Sequence, residues 1–213
     1  LSKPATYLIT SGETTAATTP GSKEFQQILK LVRSAVAARI DLIQLREKRL
    51  TVRVLQQLAV CAAEITRGTG SRLLINDRAD VAVAAGADGV HLTSESLPAS
   101  IVRRTFGSDL LIGVSTHSLA EARAAQQGAD FALFGPVFFS PAKAEYGPAV
   151  GLEQLEQVCA ALKPFPVIAI GGIDEQNVSD CLCAGASGVA AIRMFSDTAD
   201  LAAMVNRIAD AKD

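Results

Sequence analysis

Residues 72–92 read RLLINDRADVAVAAGADGVHL. The apolar run Arg72–Asn76 comes first, the alanine-rich segment Asp77–Ala85 follows with helical spacing, and a turn around Gly86 leads into a second apolar run, Gly89–Leu92. Short apolar runs bounded by turn residues predict buried strands, and the segment between them predicts a helix. Strands joined through a helix run parallel, so this stretch predicts one βαβ unit of a parallel sheet.

The same alternation continues along the chain. Small-residue turns also precede later strands at Gln127–Asp130 and Ala184–Ser187, where glycine suits a helix end and a tight turn into the sheet. The predicted strands are Thr6–Thr10, Leu42–Arg46, Arg72–Asn76, Gly89–Leu92, Leu110–Val114, Phe131–Phe134, Val167–Ile170 and Gly188–Ile192. The predicted helices are Glu24–Ala38, Val52–Arg67, Asp77–Ala85, Ala99–Thr105, Leu119–Gln127, Leu152–Ala161, Glu175–Ala184 and Ala199–Ala211. Eight such units predict an α/β fold, a single (β/α)₈ TIM barrel over residues 1–213, with an open doubly wound sheet as the alternative.

Composition and charge narrow the functions that this chain could have. Hydrophobic residues make up 49% and charged residues 20% of the 213 residues, which is typical of a globular protein. The net charge of -2 provides no broad cationic surface, so we expect neither a nucleic-acid partner nor a membrane partner. The sequence has no signal-peptide pattern and no apolar run of about 20 residues, which predicts a cytoplasmic protein.

The cysteines do not indicate a metal or disulfide scaffold. Cys61, Cys159, Cys181 and Cys183 match neither a paired zinc pattern nor a small disulfide framework, so we expect buried free thiols. An exposed apolar helix face could build a homo-oligomer, but apolar helix stripes usually pack on the barrel. The oligomeric state therefore stays open.

Polar side chains gather where the second predicted strand ends. The chain reads Gln44-Leu45-Arg46-Glu47-Lys48, and the two-residue period of an extended strand points Gln44, Arg46 and Lys48 the same way. In a parallel barrel that direction leads to the mouth, where active sites form. An amide and two cations there suit an anionic ligand. The alternative is a solvated charge run at a strand end, which fits Lys48 better than Arg46.

Two further strands end in residues capable of chemistry. Asn76 and Asp77 end the third strand, and Asp77 is a candidate Mg²⁺ ligand that could instead cap the next helix. Ser115 and His117 end the fifth strand and are candidates for catalysis, whereas Ser118 is expected to cap a helix. A Ser/His pair without a carboxylate to orient it is a thin basis for nucleophilic catalysis.

The last two strands end in a candidate phosphate site. Gly171 and Gly172 follow the seventh strand, where glycines expose backbone N–H groups and let a phosphate approach closely. Ile192 and Arg193 follow the eighth, and Arg193 would strengthen an anion site. Barrels often bind phosphate at this place, so small phosphorylated substrates are the expected partners.

Two long loops are expected at the same end of the barrel as these candidate site residues. Ser11–Ser22 follows the first strand, and Phe138–Val150 follows the sixth and carries Lys143. Long loops in a compact chain are often functional, and these two could close over a ligand. His91, within the fourth strand, is not assigned to the site, since it could equally be a satisfied strand histidine.

Six segments carry a family resemblance. They are Gln44–Lys48, Ile75–Arg78, Asp88–Leu92, Gly113–His117, Phe134–Phe138 and Ala169–Ile173. In this order they resemble the thiamine phosphate synthase family, and the resemblance spans the chain from about Tyr7 to Phe195. Each motif alone is unspecific, but the combination is specific. The superfamily also includes a similar thiazole tautomerase.

The resemblance implies that hydroxymethylpyrimidine diphosphate condenses with a thiazole phosphate, releasing diphosphate and forming thiamine phosphate. It implies that Gln44 and Ser115 face the pyrimidine and that Gly172 with the Ile192-Arg193 turn holds the thiazole phosphate. The residues implied to stabilise diphosphate are Arg46, Lys48, Asn76, Asp77 with Mg²⁺, and Lys143. Preorganised cations would lower the barrier because negative charge builds on the departing diphosphate.

Three positions depart from the family's pattern. Ser96 stands where the resemblance implies a second metal carboxylate, Ala142 where it implies a threonine, and Arg193 where it implies a serine. Loss of a carboxylate should weaken Mg²⁺ binding. A metal-independent tautomerase with His117 as base is therefore the second hypothesis, and a non-catalytic barrel that binds a phosphorylated ligand is the third.

Overall fold

A closed parallel barrel forms the centre of the protein, in a computed structural model that describes residues 3–139 and 149–211. The strands are β1 Ala5–Ile9, β2 Leu42–Leu45, β3 Arg72–Asn76, β4 Gly89–Leu92, β5 Leu111–Thr116, β6 Phe131–Phe134, β7 Val167–Ile170 and β8 Gly188–Ala191. Neighbours in sequence pair in parallel, and β8 closes on β1 with Tyr7 opposite Ala190. The predicted (β/α)₈ TIM barrel is confirmed and the open sheet is excluded.

Helices follow the strands and cover the outside of the barrel. Within the described residues they are α1 Lys23–Ala37, α2 Val52–Thr66, α3 Ala79–Ala85, α4 Ala99–Phe106, α5 Leu119–Ala125, α6 Gly151–Leu162, α7 Val178–Cys183, α8 Arg193–Ser196 and α9 Leu201–Asp210. Every predicted helix forms, with its ends shifted by a few residues. The short helix α8 was not predicted, because four residues are too few to show a helical period.

Two apolar clusters follow from the alternation of side chains along each strand. Leu8 and Ile43 point outward and pack with helix residues such as Phe25. The second cluster consists of strand residues and their immediate neighbours, with Tyr7 and Phe131 among its buried members. Because alternate residues of a strand face opposite sides, this second cluster fills the barrel interior. The barrel is therefore a packed core, open to ligands only at its ends.

Two helices begin later than predicted for local reasons. Asp77 has a left-handed φ of 61°, which a helix cannot include, so α3 starts at Ala79. Before α7, the Asp174 carboxylate accepts from the backbone N–H of Asn177, and Asn177 Oδ1 accepts from the Asp174 N–H. This reciprocal turn delays α7 to Val178.

The loop after β1 is anchored to the end of β2 by one buried carboxylate. Glu47 accepts hydrogen bonds from the hydroxyl groups of Thr10 at 2.5 Å and Thr14 at 2.6 Å. It also accepts from the backbone N–H groups of Gly12 and Thr14. The glutamate between Arg46 and Lys48 is therefore a structural residue that fixes the start of the loop over the barrel mouth.

The cysteines are free, but they differ in exposure. Cys159 and Cys181 are buried as predicted, and Cys61 is half-buried. The prediction was wrong for Cys183, which is exposed because it ends α7 on the side away from the core. Among the described helices, none combines the length and the apolar character that crossing a bilayer requires.

Candidate functional site

The predicted site residues lie at one end of the barrel. All strands of a closed parallel barrel end on the same side, and the βα loops converge there. Arg46 follows β2, Asn76 ends β3, Ser115 lies one residue before the end of β5, Gly171 follows β7 and Arg193 begins α8. The structure therefore places residues of both predicted anion sites around the same mouth.

A chain of hydrogen bonds crosses the barrel interior beneath this mouth. Gln44 Nε2 donates to the Tyr7 hydroxyl at 3.2 Å, and that hydroxyl lies 3.2 Å from His91 Nδ1. His91 Nε2 lies 2.9 Å from Ser115 Oγ. Gln44, Tyr7 and His91 are buried, and Ser115 is half-buried. These hydrogen bonds connect the predicted site residues Gln44 and Ser115 through Tyr7 and His91, which were not among the predicted site residues.

The signal that could have revealed Tyr7 and His91 is their register. Each sits at an inward position of its strand, where a buried polar group needs a hydrogen-bond partner. Burial raises the pKa of Tyr7 well above its usual value, while the hydrogen bond from Gln44 acts in the opposite direction. The Tyr7 phenol therefore stays protonated.

Gln44, Arg46 and Lys48 do not form the predicted row. Because β2 ends at Leu45, the two-residue alternation stops there. Gln44 is 1% exposed inside the barrel, Arg46 is half-buried and Lys48 is exposed. The Arg46 guanidinium lies beside the loop after β1: a Cβ atom on Gly12 of that loop would be 3.6 Å from Arg46 Nη1. Arg46 remains at the mouth, whereas Lys48 lies in a solvated turn.

Asp77 is bound to the residue that stands in place of the implied second carboxylate. The Ser96 hydroxyl donates to Asp77 Oδ1 at 2.5 Å and accepts from the Thr93 N–H at 2.8 Å. The alternative that Asp77 caps α3 is wrong, because Arg78 occupies the N-cap position. The left-handed backbone of Asp77, bonded through its N–H to the His91 carbonyl, turns the residue out of the helix.

Whether Mg²⁺ fits beside Asp77 and Ser96 depends on the ligands that the described residues offer. Among them, no three His, Cys, Asp or Glu side chains gather as a ligand group. Mg²⁺ commonly binds through one or two carboxylates and completes its octahedron with water and substrate phosphate. Asp77 with the neighbouring Ser96 hydroxyl thus fits a Mg²⁺ ion that arrives with a diphosphate, but it is a poor site for the ion alone.

His117 is held at the rim rather than in the barrel interior. Its Nδ1 lies 2.5 Å from the Gly135 carbonyl oxygen, and its backbone N–H donates to Glu121 Oε2 at 2.7 Å. A carbonyl oxygen only accepts, so Nδ1 carries the proton and Nε2 is the basic nitrogen. Ser118 caps α5 as predicted. Ser115 and His117 both lie at the mouth, but the histidine bonded to Ser115 is His91.

The turn after β7 requires glycine at two successive positions. Gly171 has a φ of 101° and Gly172 a φ of 66°, in the left-handed region. A Cβ atom on Gly172 would lie 2.7 Å from Phe138 Cβ. Asn177 Nδ2 donates to the Gly172 carbonyl at 3.0 Å and holds the turn from the α7 side. The result is a bare backbone turn at the mouth, with Arg193 exposed at the start of α8.

Charge is distributed differently at the two ends of the barrel. At the amino ends of the strands, ion pairs join Lys3 to Asp41, Arg72 to Asp88 and Arg103 to Asp130. At the mouth, no ion pair within residues 3–139 and 149–211 involves the following cations: Arg46, Lys48 and Arg193. Lys143 lies outside the described residues, as does most of the Phe138–Val150 loop.

Comparison with known proteins identifies relatives along most of the chain. The family model described as thiamine monophosphate synthase matches residues 14–195. A thiamine-phosphate synthase of Methanoculleus marisnigri is 45% identical over 181 residues, which cover 84% of this chain and 85% of that protein. A thiamine-phosphate synthase of Moorella thermoacetica is 41% identical over 181 residues, which cover 84% of this chain and 86% of that protein.

Comparison with solved structures agrees with the family found from the sequence. The solved structure of thiamine phosphate pyrophosphorylase from Pyrococcus furiosus superposes with a TM-score of 0.81 at 29% sequence identity. The match covers 99% of this chain and 96% of that one. The likeness therefore extends over nearly the full length of both chains.

Proposed function

The chain belongs to the thiamine monophosphate synthase family, and we propose that it joins hydroxymethylpyrimidine diphosphate to a thiazole phosphate, releasing diphosphate and forming thiamine phosphate. One observation carries the proposal. Gln44 and Ser115, the residues that the resemblance assigns to the pyrimidine, belong to one hydrogen-bond chain at the floor of the mouth. Around this floor stand Arg46, Asn76 and the Gly171-Gly172 turn.

The rim on the β2 and β3 side suits the diphosphate. A guanidinium presents a planar fork of donors that matches phosphate oxygens, and Arg46 is partly shielded from water by the β1 loop. Asn76 would add an amide donor from the end of β3. Lys48 is exposed in the turn after β2 and would add a second cation, and Lys143 would come from the loop after β6. Mg²⁺ held by Asp77 would add positive charge against the leaving diphosphate.

The rim on the β7 and β8 side suits the thiazole phosphate. Glycine at 171 and 172 leaves backbone N–H groups without side chains in front of them, which is how phosphate is commonly cradled. Ile192 and Arg193 lie at the junction of β8 and α8, and Arg193 would supply a cation where the family pattern has a neutral serine. The two phosphate groups would thus lie on opposite sides of the pyrimidine floor.

The proposal is tested by product formation. Purified protein, Mg²⁺ and both substrates should yield thiamine phosphate, identified by mass spectrometry. Arg46→Met should lower kcat/KM by about 10- to 100-fold, since a hydrogen bond to a charged group contributes about 1.5–3 kcal/mol. Arg49→Met is the matched control, because Arg49 is exposed in the same turn. No product at saturating substrates, or equal activity in the two variants, would contradict the proposal.

A tautomerase is the second candidate, and the geometry of His117 favours it. Its Nδ1 proton faces a carbonyl, which leaves Nε2 as a base at the rim. A tautomerase would isomerise a thiazole carboxylate phosphate without metal, and His117→Ala would abolish that activity. Isomerisation unchanged in His117→Ala would exclude His117 as the base.

A further inference from the structure

Tyr7 sets the direction of the hydrogen bonds along the interior chain. Gln44 Nε2 donates to the Tyr7 oxygen at 3.2 Å, so the Tyr7 proton has to find another acceptor. His91 Nδ1 lies 3.2 Å away and accepts it. Since burial raises the pKa of Tyr7, the phenol keeps this proton at any physiological pH.

The tautomer of the His91 imidazole then determines which atom donates in the hydrogen bond to Ser115. A neutral imidazole that accepts at Nδ1 carries its own proton on Nε2. His91 Nε2 therefore donates to Ser115 Oγ across 2.9 Å. The Ser115 oxygen is thereby engaged as an acceptor, and the hydroxyl proton is available to donate into the mouth.

At the other end of this hydrogen-bond chain, the Gln44 side chain presents a hydrogen-bond acceptor. Gln44 uses its NH₂ group for Tyr7. Every fully buried polar side-chain atom of the described residues has a hydrogen-bond partner, and Gln44 Oε1 takes part in none of the bonds described for this region. That oxygen is therefore not completely enclosed, although Gln44 as a whole is buried.

Packing holds Tyr7 and His91, the middle of the hydrogen-bond chain, in place. The rings of Tyr7 and His91 meet edge to face with centroids 5.7 Å apart. A Cβ atom on Gly113 would lie 2.7 Å from His91 Nδ1 and would also meet the Phe131 ring. Glycine on β5 thus makes the space that His91 and Phe131 fill, and neither ring can turn without displacing its neighbours.

We propose that Tyr7 and His91 are positioning residues that make the mouth select an aminopyrimidine and reject the corresponding oxo-pyrimidine. The amino group donates to Gln44 Oε1, and a ring nitrogen accepts from the Ser115 hydroxyl. An oxo group would set a second acceptor against Gln44 Oε1, leaving both desolvated and unpaired. The inference rests on the proposed function in one respect, namely that the pyrimidine lies against Gln44 and Ser115.

Calorimetric titration with two unreactive hydroxymethylpyrimidine alcohols, one with the amino group and one with the oxo group, tests the inference. The unaltered protein should prefer the amino compound by about 100-fold or more, because a site built around specific hydrogen bonds rejects a ring that cannot make them. Tyr7→Phe should reduce the preference about tenfold, because the Gln44 carboxamide is then free to rotate. Thr116→Val removes another buried hydroxyl, one that bonds the Leu133 carbonyl, and should keep the preference.

A second pair of variants separates positioning from folding. His91→Leu should reduce the preference as Tyr7→Phe does, whereas His91→Gln, which retains one acceptor and one donor, should keep more of it. Equal binding of the two rings by the unaltered protein would overturn the inference. So would an unchanged preference in either Tyr7→Phe or His91→Leu. Because the titration involves no turnover, a protein that shows the preference but forms no thiamine phosphate would refute the proposed function alone.

Discussion

At the scale of single residues, Gly172 shows how a missing side chain builds a site. Gly172→Ala should destabilise the protein by about 2–4 kcal/mol, because alanine is strained at a φ of 66° and its methyl group would collide with Phe138. Gly86→Ala is the matched control, since Gly86 has a φ of 70° and open space around it, and it should cost only about 1–2 kcal/mol. Urea unfolding measures both. Equal losses would mean that the contact with Phe138 does not constrain the turn.

Ser96 is the residue at which metal affinity can be altered. Ser96→Asp would place a second carboxylate beside Asp77, so Mg²⁺ with inorganic diphosphate should stabilise this variant at about tenfold lower Mg²⁺ concentration. Ser96→Asn has the same size without the charge and should not gain affinity. The melting temperature is measured against Mg²⁺ concentration in each case. Identical curves for the two variants would argue against Mg²⁺ at Asp77.

Residue types at the strand ends predicted Gln44, Arg46, Asn76, Ser115 and Gly172 as neighbours, and the barrel does place them around one mouth. Tyr7 and His91 could not be assigned from residue type, because a polar residue at a single inward position of a strand does not by itself indicate a site. Their pairing depends on strands β1 and β4 facing each other across the barrel, which local sequence does not reveal. The exposure of Lys48 could not be predicted, because it depends on β2 ending at Leu45 and the chain turning there.

At the scale of elements, the loop after β1 depends on Glu47. Glu47→Ala should lower the free energy of unfolding by about 2–4 kcal/mol, since the Thr14 hydroxyl and N–H both lose their buried acceptor. Cleavage of the Ser11–Ser22 loop by a protease should also become faster. Thr14→Ser keeps the hydroxyl and should change both properties little. Unchanged unfolding and cleavage in Glu47→Ala would show that the loop is held by other contacts.

Elements were predictable because their signals are local. Apolar runs and Gly-containing turns located all eight strands, and β3, β4, β6 and β7 have the predicted bounds. The starts of α3 and α7 were not predictable, because they depend on the left-handed backbone of Asp77 and on the bonds between Asp174 and Asn177. Closure of the sheet was inferred from the number of units rather than from any one residue.

At the scale of the whole molecule, two buried thiols predict a loss of stability in alkali. Burial raises the pKa of Cys159 to about 11 and that of Cys181 to about 12. The unfolded chain loses these protons near pH 9, so the folded state binds more protons above that pH and stability falls as pH rises. The slope should approach about 1.4 kcal/mol per pH unit per thiol.

Urea unfolding between pH 8 and about 11 measures this slope. A Cys159→Ala and Cys181→Ala double variant should lose much of it, although the variant will be less stable at every pH because of the cavities. Tyr7 adds to the slope only above its ordinary pKa of about 10. A slope unchanged by the double substitution would contradict the assignment to the thiols.

Release of diphosphate is the decisive measurement of whether the protein joins the two substrates. The protein is incubated with hydroxymethylpyrimidine diphosphate, with and without thiazole phosphate and with and without Mg²⁺, and free diphosphate is measured over time. We expect sustained release, matched one to one by thiamine phosphate, when both substrates and Mg²⁺ are present. We also expect a large loss of rate when the metal is removed. The absence of release with both substrates and Mg²⁺ present, at concentrations that saturate binding, would contradict the proposed function.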